Sequence, residues 1–208
     1  MQPAACAGAA GICPILFPAF LTSAAVVALA EIGDRTQLLA IVLVTRFNRP
    51  WLVIAGIFVA TLANHALAAL IGSEAASLLD SMWFRAAVAI GFIATGIWTL
   101  VPDKLDADED VPPAGRGVFL TTLITFFLVE MGDKTQIATI GLGARFHDTL
   151  AVAAGTTAGM MLVNIPAVLF GREITRRVPI AQIRLAAALL LIALGLWQGA
   201  QLLGLVKP

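Results

Sequence analysis

Apolar residues run through this chain in six long blocks, roughly Leu16–Thr45, Leu52–Ile71, Phe84–Val101, Val118–Ala144, Leu150–Phe170 and Ile183–Leu205. None alternates with the period of a strand, and each is close to or above the ~20 apolar residues a helix needs to cross a bilayer. The pattern predicts six transmembrane helices. The first and fourth blocks are the longest, and both carry charges in their middle. The other four hold few polar side chains, among them Asn64, His65 and Asn164. The one clearly polar stretch, Pro102–Arg116, is acidic, proline-bearing and too short for a domain. It reads as a linker, so the expected organisation is a first three-helix unit over 16–101, a linker over 102–116 and a second unit over 117–205.

Composition strengthens this reading. Hydrophobic residues make up 60% of the 208, charged residues only 12%, and the mean hydropathy is +0.94. A soluble domain is about a quarter charged, so the surface must face lipid rather than water. The formal net charge of zero argues against nucleic acid as a partner. Cys6 and Cys13 lack metal-site spacing and read as two plain thiols rather than a disulfide. No Lys or Arg precedes the first apolar block, so no cleaved leader is expected. Self-association is left open, and no cofactor is expected.

The basic residues give an orientation. Eight of the thirteen Lys and Arg (Arg46, Arg49, Lys104, Arg116, Arg172, Arg176, Arg177, Arg184) fall on the side of the first, third and fifth loops. Only Arg85, Arg145 and Lys207 fall on the other side, while Arg35 and Lys134 lie inside blocks. The positive-inside rule makes the first side cytoplasmic and puts both termini outside.

Shifting the chain against itself by 99 residues exposes an internal repeat. Phe20-Leu21-Thr22 meets Phe119-Leu120-Thr121, and Glu31-Ile32-Gly33-Asp34-Arg35-Thr36-Gln37 meets Glu130-Met131-Gly132-Asp133-Lys134-Thr135-Gln136. The same offset aligns Arg46-Phe47 with Arg145-Phe146, Ala55-Gly56 with Ala154-Gly155, and Gly96 and Trp98 with Gly195 and Trp197. Three helices per unit is an odd number, so the second unit enters the membrane from the opposite side. The expected fold class is therefore all-α integral membrane, with six transmembrane helices as two inverted three-helix repeats. Secondary transporters are often built this way, with the substrate site where the repeats meet.

Six ionisable side chains fall inside the first and fourth blocks: Glu31, Asp34, Arg35, Glu130, Asp133 and Lys134. Each costs about 2.5–3.5 kcal/mol at a membrane helix centre, roughly 15–20 kcal/mol unpaired. Spacings of three and four predict that Glu31, Asp34 and Arg35 share one helix face, as do Glu130, Asp133 and Lys134. Pairing accounts for Arg35 and Lys134 as charge-balancing residues. Four carboxylates against two basic groups still leave about −2, which a divalent cation or two protons would neutralise. That equivalence is the basis for exchanging one for the other. The expected metal ligands are oxygens of Glu31, Asp34, Glu130 and Asp133, joined by Gln37, Gln136 or Asn64. An oxygen set suits Ca²⁺, Mg²⁺ or Mn²⁺. Gly33 and Gly132 either break the helix and free backbone carbonyls or let two helices pack closely. His65 has no counterpart in the second half on this reading, and is taken as a hydrogen bond between helices.

The duplicated Glu-x-Gly-Asp-Lys/Arg-Thr motif resembles that of the Golgi and bacterial manganese/calcium–proton exchangers, grouped with the lysine-exporter superfamily. The resemblance covers nearly the whole chain, including the acidic stretch Asp103–Asp110. It implies exchange of a divalent cation for protons, with the acidic residues of both motifs forming the cation site. It also implies a bacterial member that exports Mn²⁺ across the inner membrane, with Ca²⁺ as the next substrate. Arg35 replaces the commoner lysine and keeps the charge. Two rival readings remain. An intramembrane aspartyl protease would pair Asp34 with Asp133, but Glu31 stands where its first motif glycine belongs and the chain has no tyrosine. A passive cation channel would need a continuous pore.

Overall fold

The structure, a computed structural model, describes residues 16–78, 82–101, 117–170 and 180–205. The linker 102–116, Cys6 and Cys13, and the basic cluster Arg172–Arg177 lie outside the described residues. Eight helices are described: α1 (Leu16–Glu31), α2 (Arg35–Phe47), α3 (Pro50–Leu78), α4 (Met82–Thr99), α5 (Val118–Glu130), α6 (Lys134–Phe146), α7 (Thr149–Phe170) and α8 (Ile180–Leu202).

The first and fourth apolar blocks are each two helices, not one. Between α1 and α2 the chain turns at Gly33, with φ of 80°, and between α5 and α6 at Gly132, with φ of 81°. A side chain in that region clashes with its own backbone, so glycine permits the turn. The axes of α1 and α2 diverge by 72°. By length and composition, four described helices can cross a membrane, or five when the bent α1–α2 pair counts as one. α5 is apolar but short, because Gly132 cuts the fourth block in two.

Local signals set the other ends. Asn48 and His147 close α2 and α6 in the left-handed region, with φ of 50° and 54°. Pro50 opens α3, where a missing N–H costs nothing. Asp148 accepts from the Ala151 N–H at 2.9 Å and so caps α7.

Packing follows the repeat. α1 lies against α7 as α5 lies against α3, and α4 pairs with α8. The close approaches are matched residue by residue. A Cβ on Gly56 would meet Phe119 O and the Thr122 side chain within 2.9 Å. One on Gly155 would meet the equivalent Phe20 O and Ser23 within 3.0 Å. Between α4 and α8, Gly96 abuts Ala188 and Ile192 while Gly195 abuts Ala89 and Ile93. Each residue of that last contact is the 99-residue image of one across from it.

Among the described residues, charged groups are buried within the apolar core while large apolar side chains face outward. Trp83, Leu150 and Leu162 are 80%, 83% and 70% exposed, while Glu31 and Glu130 are wholly buried. Only a lipid surround makes that arrangement stable. The protein is an integral membrane protein.

Candidate functional site

Both breaks put the same chemistry in the same place. Glu31 is the last residue of α1, and Asp34 is the N-cap of α2; Glu130 ends α5, and Asp133 caps α6. Neither aspartate hydrogen-bonds its own helix terminus, so its oxygens serve other groups. The two glutamates sit at helix C-terminal ends, where the backbone dipole is already negative. Carboxylates gathered there create a potential that draws cations.

The pairing differs from the one-face arrangement that the i,i+3 and i,i+4 spacings predict. Because each motif is split by its glycine, the basic residues reach across to the other half. Lys134 Nζ lies 2.6 Å from Asp34 Oδ1, and Arg35 Nη2 lies 3.4 Å from Asp133 Oδ1. Arg35 also donates to the Val129 carbonyl at 2.9 Å, tying α2 to the last turn of α5. The duplicated motifs are thus cross-linked to each other. Within each motif the threonine hydroxyl joins the acids: Thr135 donates to Glu130 at 2.6 Å and lies 3.5 Å from Asp133 Oδ2. Thr36 does the same for Glu31 and Asp34.

Gln37 and Gln136 are engaged at the two turns. Their side-chain oxygens accept the N–H groups of Gly33 (2.9 Å) and Gly132 (2.7 Å), bracing the two turns. Asn64 donates to the Phe127 carbonyl at 3.0 Å and holds α3 against the end of α5. Its Oδ1 is buried without a hydrogen-bond partner, as are Glu31 Oε2 and Glu130 Oε2. Among the described residues, no three acidic, histidine or cysteine side chains converge into a ready-made ion cage. The aspartates face basic groups and the glutamates face hydroxyls instead.

Sequence reasoning missed one partner of the site. His65 is fully buried on α3, and its Nε2 lies 3.5 Å from Glu130 Oε1. The 99-residue offset pairs His65 with Asn164, and Asn64 with Val163. Asn164, equally buried on α7, donates to the Met160 carbonyl at 3.2 Å and stands near the Glu31 carboxyl, its own Oδ1 without a hydrogen-bond partner. Each glutamate therefore meets a polar side chain from the long helix of the other half. Keeping strictly to the offset, rather than matching asparagine to asparagine, reveals this pair.

A bundle that is apolar outside, broken twice at glycine, and holds cross-linked charges at both breaks has the build of an ion transporter. The chain matches the family described as "Divalent cation/proton antiporter GDT1" over residues 19–107 and 118–203. It belongs to that family. A protein of Vibrio cholerae named "Putative manganese exporter" is 46% identical over 171 residues, covering 82% of this chain and 84% of that protein. GDT1-like protein 5 of Arabidopsis thaliana is 28% identical, covering 87% of this chain and 95% of the relative. A GDT1-like protein of Synechocystis is 27% identical, with 84% and 93% covered. No solved structure matches. The chain is a divalent cation/proton antiporter and not an enzyme, which removes the channel and protease readings.

Proposed function

We propose that this antiporter exports Mn²⁺ from a bacterial cytoplasm in exchange for protons, through a site built on Glu31, Asp34, Glu130 and Asp133. The observation that carries the proposal is the reciprocal cross-link of Lys134 to Asp34 and Arg35 to Asp133 at two matched helix breaks. It links the two motifs, whose four carboxylates and two basic groups carry a net of about −2 when all are ionised. One divalent cation or two protons balance that charge in a medium that tolerates neither excess. The acidic oxygen donors suit hard divalent ions such as Mn²⁺, Ca²⁺ and Mg²⁺, and the name of the Vibrio relative favours Mn²⁺ among them.

On this reading the chain makes six crossings, with each broken pair as one crossing, as two inverted three-helix units over 16–101 and 117–205. The matched contacts that Gly56 and Gly155 make with the opposite half, and those that Gly96 and Gly195 make, support it. The Lys/Arg asymmetry supports an inner-membrane protein whose linker is cytoplasmic and whose termini are periplasmic. A cysteine at Asp108 is then protected from an impermeant thiol reagent in intact cells. Labelling without permeabilisation means the orientation is reversed.

The function is tested in proteoliposomes carrying a trapped pH-sensitive dye. Adding Mn²⁺ outside should drive protons out of the lumen, and an imposed proton gradient should drive Mn²⁺ uphill. Mn²⁺ entry with no proton movement would end the exchange mechanism.

A further inference from the structure

We propose that His65 is a ligand of the transported ion beside Glu130, and that it selects divalent transition-metal ions over Ca²⁺ and Mg²⁺. The inference deepens the proposed exchange function and rests on the carboxylate site described for it.

The geometry is specific. His65 Nε2 and Glu130 Oε1 are 3.5 Å apart, at the outer limit of a hydrogen bond. Metal bonds of about 2.0–2.2 Å meeting at right angles give ligand–ligand edges of roughly 2.8–3.1 Å, so a transition ion draws these two atoms together by a few tenths of an ångström. A histidine kept only to join two helices would engage both ring nitrogens. His65 Nδ1 is buried without a hydrogen-bond partner. Thr61, one turn earlier on the same face of α3, carries a buried hydroxyl that also lacks one. It stands ready to accept the Nδ1 proton and orient the ring once Nε2 is engaged by metal. Glu130 Oε2 is likewise buried and unpartnered, so the acid keeps a free oxygen beside the imidazole.

The comparison with the other half sharpens the chemistry. Asn164 occupies the repeat position of His65, and with its Nδ2 engaged by Met160 it has a buried Oδ1 left without a hydrogen-bond partner. One end of the site therefore offers oxygen and the other a nitrogen. Ca²⁺ and Mg²⁺ take oxygen ligands, whereas first-row transition ions accept imidazole readily. A single nitrogen in an oxygen shell thus penalises the alkaline-earth ions.

The test uses the full chain. In detergent, pulsed electron paramagnetic resonance of Mn²⁺ bound to the wild-type protein should show nitrogen hyperfine coupling, lost in His65→Asn and in the second variant, His65→Gln. In proteoliposomes, His65→Asn copies the Asn164 arrangement, and its Mn²⁺ rate should fall about tenfold more than its Ca²⁺ rate. Absence of nitrogen coupling in wild-type protein with Mn²⁺ bound, or an unchanged Mn²⁺:Ca²⁺ ratio in both variants, overturns the ligand assignment. Coupling in a wild-type protein that moves no protons instead overturns the exchange mechanism and leaves His65 as a ligand. Failure of Mn²⁺ to bind the wild-type protein overturns both.

Discussion

The two halves of the molecule share a motif but do not build the same end of the site. In the cross-link at Asp34, Lys134 is 3% exposed and its ammonium sits 2.6 Å from the acid. In the cross-link at Asp133, Arg35 is 32% exposed and its guanidinium stands 3.4 Å away, shared with the Val129 carbonyl. Glu31 has an amide neighbour, Glu130 an imidazole. One end is tight and sealed, the other longer and open at its edge. A duplicated sequence gives matched halves, and a few differences at equivalent positions make the two ends unequal.

The largest effect that can break the comparison comes from the glutamates. Glu31→Gln and Glu130→Gln each remove one negative charge while keeping shape and an oxygen. Both variants should insert and fold, since a costly buried charge is gone. Both should lose at least about a hundredfold in Mn²⁺-driven proton flux, as about 3 kcal/mol of ion binding corresponds to two decades. Wild-type flux in both would reduce the motif to a structural charge pair.

Next come the cross-links. Lys134→Met leaves Asp34 buried without its 2.6 Å partner and should cost about 3 kcal/mol of stability. Arg35→Met also leaves a buried acid, Asp133, without this partner, but the contact is longer and Arg35 itself partly exposed, so it should cost less, about 2 kcal/mol. Thermal unfolding of the two variants in one detergent measures the gap. Equal shifts would mean that the two ends are alike after all.

The smallest effect concerns the scaffold. An added Cβ at Gly132 meets nothing within 4 Å, so Gly132→Ala carries only the backbone strain of a φ of 81°. That should cost about 1–2 kcal/mol, and Gly33→Ala should cost at least as much. A stabilised Gly132→Ala protein would show that the turn is not required and that α5 and α6 can run straight.

Much of this was legible in the chain. Apolar block length gave the membrane class, because the bilayer fixes how many residues a helix needs. The 99-residue offset exposed the duplication, and charges too costly to leave idle marked Glu31, Asp34, Glu130 and Asp133. Gly33 and Gly132 were recognised as either breaks or packing points, and a positive φ at both decides for breaks.

Those properties are local, set by composition, spacing and the cost of charge in lipid, and a linear string records them. Pairing is not local. Arg35 and Lys134 lie four residues from Glu31 and Glu130, which suits a continuous helix, yet their partners are 98 and 100 residues away. Once glycine turns the chain, the near neighbour in sequence faces elsewhere, and only the packing of the two halves brings the distant aspartate within reach. The turn also decides what Gln37 and Gln136 do there, each accepting the N–H of its motif glycine. His65 and Asn164 come to the glutamates only because the long helix of each half crosses the broken helix of the other.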